Sequence, residues 1–215
     1  MAKRRKVGNL LALAVLSVVM SRPMHPYEMA SVLRARGKDQ DMKIKWGSLY
    51  TVVQNLEKHG LLEATGSQRR GGRPERTLYR ITDAGREELE DWVRELVAVP
   101  EREQPRFEAG LSVIGVLHPD EATQLLRDRL TRLEQQIAAQ RDALAEAGRE
   151  VPRLFLVESE YDLAIREAEA SWIRSLLDEF TTGSLPGLAE WRDWHETGRM
   201  PPEFEALAER GSTND

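Results

Sequence analysis

Between Leu61 and Thr82 the chain holds two short strand-like segments, Leu61 to Thr65 and Thr77 to Thr82. They flank Ser67-Gln68-Arg69-Arg70-Gly71-Gly72-Arg73-Pro74-Glu75, a stretch too polar and glycine-rich for anything but a hairpin tip. The segments on either side read as helices, so the expected fold is mainly α with one two-stranded sheet. That hairpin decides which helical folds are open to the chain.

Three helices precede it. Asn9 to Met20 is apolar almost all round (Leu10, Leu11, Leu13, Leu16, Val18, Val19), the mark of a fully buried helix. Arg22-Pro23 stops it, because the residue before proline is pushed out of the α region. Lys3-Arg4-Arg5-Lys6 ahead of this run gives it the look of a secretory signal. Leu10 to Met20 is only eleven residues, too short for a bilayer, and Ser21 to Pro26 offers no small-residue cleavage site. A core helix is the expected reading, with no membrane partner. A second helix opens at His25-Pro26-Tyr27-Glu28, with Pro26 suited to the first helical position, and runs to Arg36-Gly37. Gly37 to Lys45 reads as a loop. A third helix, Ser48 to His59, carries Leu49, Val52, Val53 and Leu56 as one stripe and is closed by Gly60. After the hairpin, Asp83 caps a fourth helix to about Val97, with Leu89, Trp92, Val93 and Leu96 on its apolar face.

Helix, helix, helix, strand, basic tip, strand, helix is the order of a winged helix-turn-helix, whose third helix enters the major groove. Opposite its stripe, Ser48, Thr51, Gln54, Asn55 and Lys58 face outward. Gln and Asn pair bidentately with adenine, and Thr offers a methyl to thymine. Arg69, Arg70 and Arg73 at the tip suit phosphates or a narrow minor groove, and Lys45 joins the DNA-facing set. Charge agrees. The chain carries −5 overall, yet residues 1–86 hold 17 Lys+Arg against 7 Asp+Glu and residues 87–215 hold 14 against 29. A basic front (+10) joined to an acidic rear (−15) points to nucleic acid as the partner of the front.

The rear half begins with a proline-flanked linker, Pro100 to Pro105, and a short apolar helix, Phe107 to Val116. A long helix from Pro119 carries Ala122, Leu126, Leu130, Leu133, Ile137 and Leu144 before Gly148 and Pro152 break it. A second, Leu154 to Phe180, carries Val157, Tyr161, Ile165, Ala168, Trp172, Leu176 and Phe180. Leu188 to His195 forms one more short helix, and the last fifteen or so residues read as frayed. Two such stripes cannot cover each other without leaving apolar area exposed. A second copy of the chain is the expected cover, an intrachain bundle the alternative. The expected organisation is a DNA-binding domain over 1–99, a helical dimerisation domain over 106–195 and a flexible tail over 196–215. Tyr161, Ile165, Trp172 and Leu176 are the expected interface residues.

Three ordered motifs carry a family resemblance. Leu11-Ala12-Leu13 with His25-Pro26-Tyr27-Glu28, Gly47-Ser48-Leu49-Tyr50 with Leu56-Glu57-Lys58-His59-Gly60-Leu61-Leu62, and Leu78-Tyr79-Arg80-Ile81-Thr82-Asp83-Ala84-Gly85 resemble the PadR family of bacterial transcriptional regulators. The family usually has Gly where this chain has Pro26, a change that a helix start accepts. The rear half is similar to the long helical C-terminal dimerisation domain of one branch. The resemblance implies a homodimeric repressor on a palindromic operator, often released by phenolic acids, drugs or other planar aromatics. It also implies that Tyr27, Tyr50 and Tyr79 lie near the DNA backbone or brace the recognition helix, core packing being the alternative for Tyr79. Phe155 and Trp172 are the candidates to wall an effector cavity, or Trp172 simply packs the dimer core.

Enzyme chemistry finds no footing. Cys is absent, which excludes thiol catalysis and Cys-ligated metals and fits a reducing, cytoplasmic setting. His25, His59, His118 and His195 are scattered, with no H-E-x-x-H frame, and Gly71-Gly72 lacks the spacing of a phosphate loop. Glu158 and Asp162 share a helix face, as charged pairs on solvated helices commonly do. No catalytic residue, metal or cofactor is expected. The remaining alternative is a winged helix that binds protein, disfavoured by the basic front and the arginine tip.

Overall fold

The computed structural model describes residues 5, 7–38, 46–68 and 76–209. The chain divides into two compact units, Met1–Arg102 and Glu103–Asp215.

The first unit is built on α1 (Leu10–Val19), which is buried on nearly every side. Asn9 caps it by accepting from the Ala12 N–H at 2.9 Å. α2 (Pro26–Ala35) and α3 (Leu49–Lys58) pack on α1 through Met29, Ala30 and Leu33, and through Leu49, Val52, Val53 and Leu56. Each fully buried aliphatic side chain of this set contributes roughly 1.5–3 kcal/mol relative to exposure. A 3₁₀ turn, Trp46–Ser48, leads into α3. Arg34 lays its guanidinium over the Trp46 ring, 4.3 Å from the centroid, and so ties α2 to that turn.

The wing is an antiparallel pair, β1 (Leu62–Gln68) and β2 (Arg76–Ile81). Leu62 faces Ile81 at the root, and both side chains are buried. A bulge at Thr65, between Ala64 and Gly66, shifts the register, with Gly66 at φ +129°. β2 has a second neighbour in the turn ahead of α2. Met24 and Tyr79 exchange both backbone hydrogen bonds at 3.0 Å, an isolated antiparallel bridge.

α4 (Asp83–Ala98) follows. Its cap is Thr82, not Asp83: the Thr82 hydroxyl accepts from the Gly85 N–H at 3.0 Å and donates to the Gly60 carbonyl at 2.7 Å. The residue with the extended backbone is the one whose oxygen reaches back over the first turn. Leu89 and Trp92 enter the core, whereas Val93 and Leu96, expected beside them, are exposed with Val97 and Val99. Arg5 closes the other side of α4. Its side chain is almost wholly buried against Glu88, Asp91 and Glu95, and its guanidinium lies 5.1 Å from the Trp92 ring centroid.

The second unit is a helical hairpin with shorter helices against it. α5 (Arg106–Leu111) ends before a 3₁₀ turn, Ile114–Val116, so the single helix expected from Phe107 to Val116 is two pieces. α6 (Pro119–Ala147) and α7 (Val157–Thr182) run antiparallel. Ala122, Leu126, Leu133 and Ile137 meet Ala170, Ile173, Leu177 and Phe180. Arg129–Glu169, Arg141–Glu167 and Arg174–Glu134 cross between them at 2.6, 2.6 and 2.8 Å. α8 (Leu188–Thr197) adds Leu188 and Trp191 to the core, and the Trp191 indole N–H donates to the Leu117 carbonyl at 3.0 Å. Residues 202–209, read from the sequence as part of a flexible tail, form α9 (Pro202–Glu209), whose Phe204 stands edge-on to Trp194.

The stripe on α7 is not the one that packs inside this chain. Leu163, Ala170, Ile173, Leu177 and Phe180 turn toward α6, while Val157, Tyr161, Ile165 and Trp172 are exposed on another face and Leu176 is half-buried at its edge. α7 therefore has two apolar lines, one covered and one bare.

Candidate nucleic-acid interface

The outward face of α3 is polar along its length. Ser48, Tyr50, Thr51, Gln54, Asn55 and Lys58 are all exposed, while the stripe beneath them is buried. This is what a period of 3.6 does to a helix with one apolar line: the polar side chains gather on the opposite face.

His25 joins the start of α2 to the start of α3. Its Nδ1 accepts from the Tyr27 N–H at 3.1 Å and caps α2, and its ring stands edge-on to Tyr50 with centroids 6.5 Å apart. Tyr27 and Tyr50 are 64% and 56% exposed, so both phenols stand out near one imidazole. Sequence reasoning took His25 as helix-opening context and missed this role. The signal was the capping position itself, with Glu28 three residues on. Arg22 pairs with Glu28 and holds that carboxyl below the usual carboxylate range, helped by the His25 backbone N–H.

Tyr79 differs from the other two tyrosines. It is half-buried against the core, and burial, with Glu57 of α3 nearby, pushes its hydroxyl above the usual phenol range. Its backbone meets Met24 and its ring meets the core, so it braces the wing and α2 together. Arg80, one residue on, pairs across the strands with Glu63.

Lys45, Arg69, Arg70 and Arg73 lie outside the described residues. The strands that lead to the tip do not: β1 and β2 pair as far as Gln68 with Arg76.

The expected effector pair is not brought together. Phe155 sits in a 3₁₀ turn before α7, and Trp172 lies fifteen residues beyond Val157 along that helix, so roughly 22 Å of helix rise separates them. No single small molecule spans both in one chain. Trp172 instead meets Phe107. Among the described residues no three His, Asp or Glu side chains could hold a metal ion. No described helix is long and apolar enough to cross a membrane.

Residues 15–91, from α1 through the middle of α4, match the model of the transcriptional regulator PadR-like family. Over those residues the chain carries the domain of the PadR-like family. The negative transcriptional regulator PadR of Bacillus subtilis (strain 168) is 23% identical over 130 residues, 60% of this chain and 70% of that one. Crystal structures of Bacillus subtilis PadR in complex with operator DNA and in complex with p-coumaric acid share the fold. Their TM-scores are 0.67 and 0.65 at 20% and 21% identity, and each likeness covers 80% of this chain and 99% of the solved one. The winged helix with a helical C-terminal region is thus a PadR-like fold.

Proposed function

We propose that this PadR-like regulator is a homodimeric repressor that reads a near-palindromic operator and is released by a small aromatic molecule. The observation that carries the DNA reading is the solvated polar face of α3, with Thr51, Gln54, Asn55 and Lys58 on it and Tyr27 and Tyr50 beside its start. Base edges take Gln54 and Asn55, and phosphates take Lys58, the tyrosine hydroxyls, Lys45 and the arginines of the tip. The residues of Met1–Arg102 act as the DNA-binding domain and those of the second unit as the dimerisation domain.

The bare apolar line on α7 supports the dimer. Tyr161 and Ile165 are 69% and 51% exposed, and Trp172 continues the line. A second copy offers the same line in return, which is what a two-fold interface requires. Dimers of this kind place their recognition helices about 34–36 Å apart, one turn of the duplex. Repression and aromatic release rest on the relatives: one is a negative regulator, and its structures hold operator DNA and p-coumaric acid.

The test is fluorescence anisotropy of the full chain with DNA from its own upstream region, titrated with salt and then with aromatic acids. Specific binding that tightens as salt is lowered, two chains per operator, and release by an aromatic acid are expected. Binding indistinguishable from random DNA would overturn the reading.

A further inference from the structure

Phe107 is held as a ligand would be held. It is the second residue of α5, and its ring sits in a notch formed by the two long helices of the second unit. The Arg129 guanidinium of α6 lies over it, 3.8 Å from the centroid, and Trp172 of α7 meets it edge-on at 6.2 Å and 80°. Glu169 lies 2.6 Å from Arg129 Nε and Nη2 and fixes the guanidinium in place. Such a cation and indole grip any planar ring by its quadrupole. Phenylalanine leaves one property of the notch unused. A guanidinium has five N–H donors, so one carboxylate on its Nε edge does not saturate it.

We propose that the Arg129–Trp172 notch is a binding site for a planar aromatic acid, and that Phe107 occupies it in the unliganded chain. This rests on the aromatic-release reading above and names its site. An incoming ring keeps the contacts that Phe107 makes and adds a carboxylate to Arg129. Phe107 competes through its tether, which gives it a high effective concentration. Ligand binding therefore expels Phe107, and α5 loosens with it, since Leu111, only partly buried, is the other apolar side chain that this six-residue helix packs on the core. Phe107 follows the last residue of the first unit by five positions, so its expulsion lengthens the free segment joining the two units. Trp172 also belongs to the bare line on α7, so occupancy of the notch is felt at the face assigned to the second copy.

Calorimetric titration of the full-length wild type, Phe107→Ala and Phe107→Leu with p-coumaric acid tests this, with hexanoate as a non-aromatic control. If the tethered ring fills the notch some nine-tenths of the time, its removal tightens p-coumaric acid by about tenfold. Phe107→Leu keeps bulk without a ring and falls between, so the test survives if the alanine variant fails to fold. In the wild type, saturating ligand should speed hydrogen exchange over residues 106–111. Affinity equal to or weaker than wild type in both variants, or no binding to any of the three, overturns the notch. If an aromatic acid releases operator DNA while Phe107→Ala gains no affinity, the release reading stands and the notch falls. If Phe107→Ala gains affinity and no acid releases DNA, the notch stands and the release reading falls.

Discussion

A β-carbon at position 85 would lie 2.1 Å from the carbonyl oxygen of Leu61, so glycine is what lets α4 rest against the turn that follows α3. The contact is backbone against backbone and has no side chain to yield. Gly85→Ala should lower the stability of the first unit by about 1–3 kcal/mol, read as a fall in urea midpoint at unchanged m-value. An unchanged midpoint would mean that α4 slides away from Leu61 without cost.

Arg5 fills a pocket of three carboxylates on α4. Arg5→Gln takes away the cation that these three carboxylates share and its packing on Trp92, and should destabilise the first unit by about 1–3 kcal/mol. The loss should shrink as salt is raised in thermal melts. A salt-independent loss would assign the effect to packing on Trp92 instead.

Glu28 gives stability a pH dependence of known sign. Its carboxyl titrates lower in the folded chain than unfolded, chiefly through Arg22, so its contribution is present above the ordinary carboxylate pKa and is lost as pH falls through the folded value. The pair is exposed, so water screens it and the effect is small. Glu28→Gln should flatten the acid limb of stability as pH falls below the ordinary carboxylate range. An unaltered limb would show that the pair contributes nothing.

Gln54 and Arg73 should fail differently on DNA. Gln54→Ala should cost roughly 1–3 kcal/mol on the operator, relax one base pair per half-site and leave the salt slope unchanged. Arg73→Ala should weaken all sequences alike and lower the slope by about one per lost phosphate contact. Equal slopes in the two variants would refute this division of labour.

Ile165 is exposed, so a charge there leaves the α6–α7 core untouched. Ile165→Glu should give a folded monomer by light scattering, with unchanged helicity by circular dichroism and much weaker operator binding. A persistent dimer would remove the bare line of α7 from the interface.

The first unit was legible because each of its signals is local. The α3 stripe spaces itself by 3.6, glycine follows the helix that it ends, and the polar tip separates two strands. The misses are long-range. Arg5 reads as one more charge in Lys3-Arg4-Arg5-Lys6, and nothing near it in sequence reveals three carboxylates some 80 to 90 residues away. Val93 and Leu96 continue the pattern of Leu89 and Trp92, yet both are exposed. On α7 the two apolar lines are offset by a fraction of a turn, and Ala170, at the centre of the covered line, is too small to mark it. The sequence pattern could show that α7 is apolar, but not which side its own chain would claim. The polar face of α3 was legible for the opposite reason: a helix with one line has only one other side.

The bridge between Met24 and Tyr79 makes the hairpin a replaceable attachment. At its root β2 is stitched on one edge to β1 and on the other to the turn before α2, which sets the direction in which the strands leave the body. Residues can be exchanged, added or removed beyond that root without re-aiming α3. On the proposed reading, a chain built this way can acquire a new sequence preference in its wing while keeping the one in its helix.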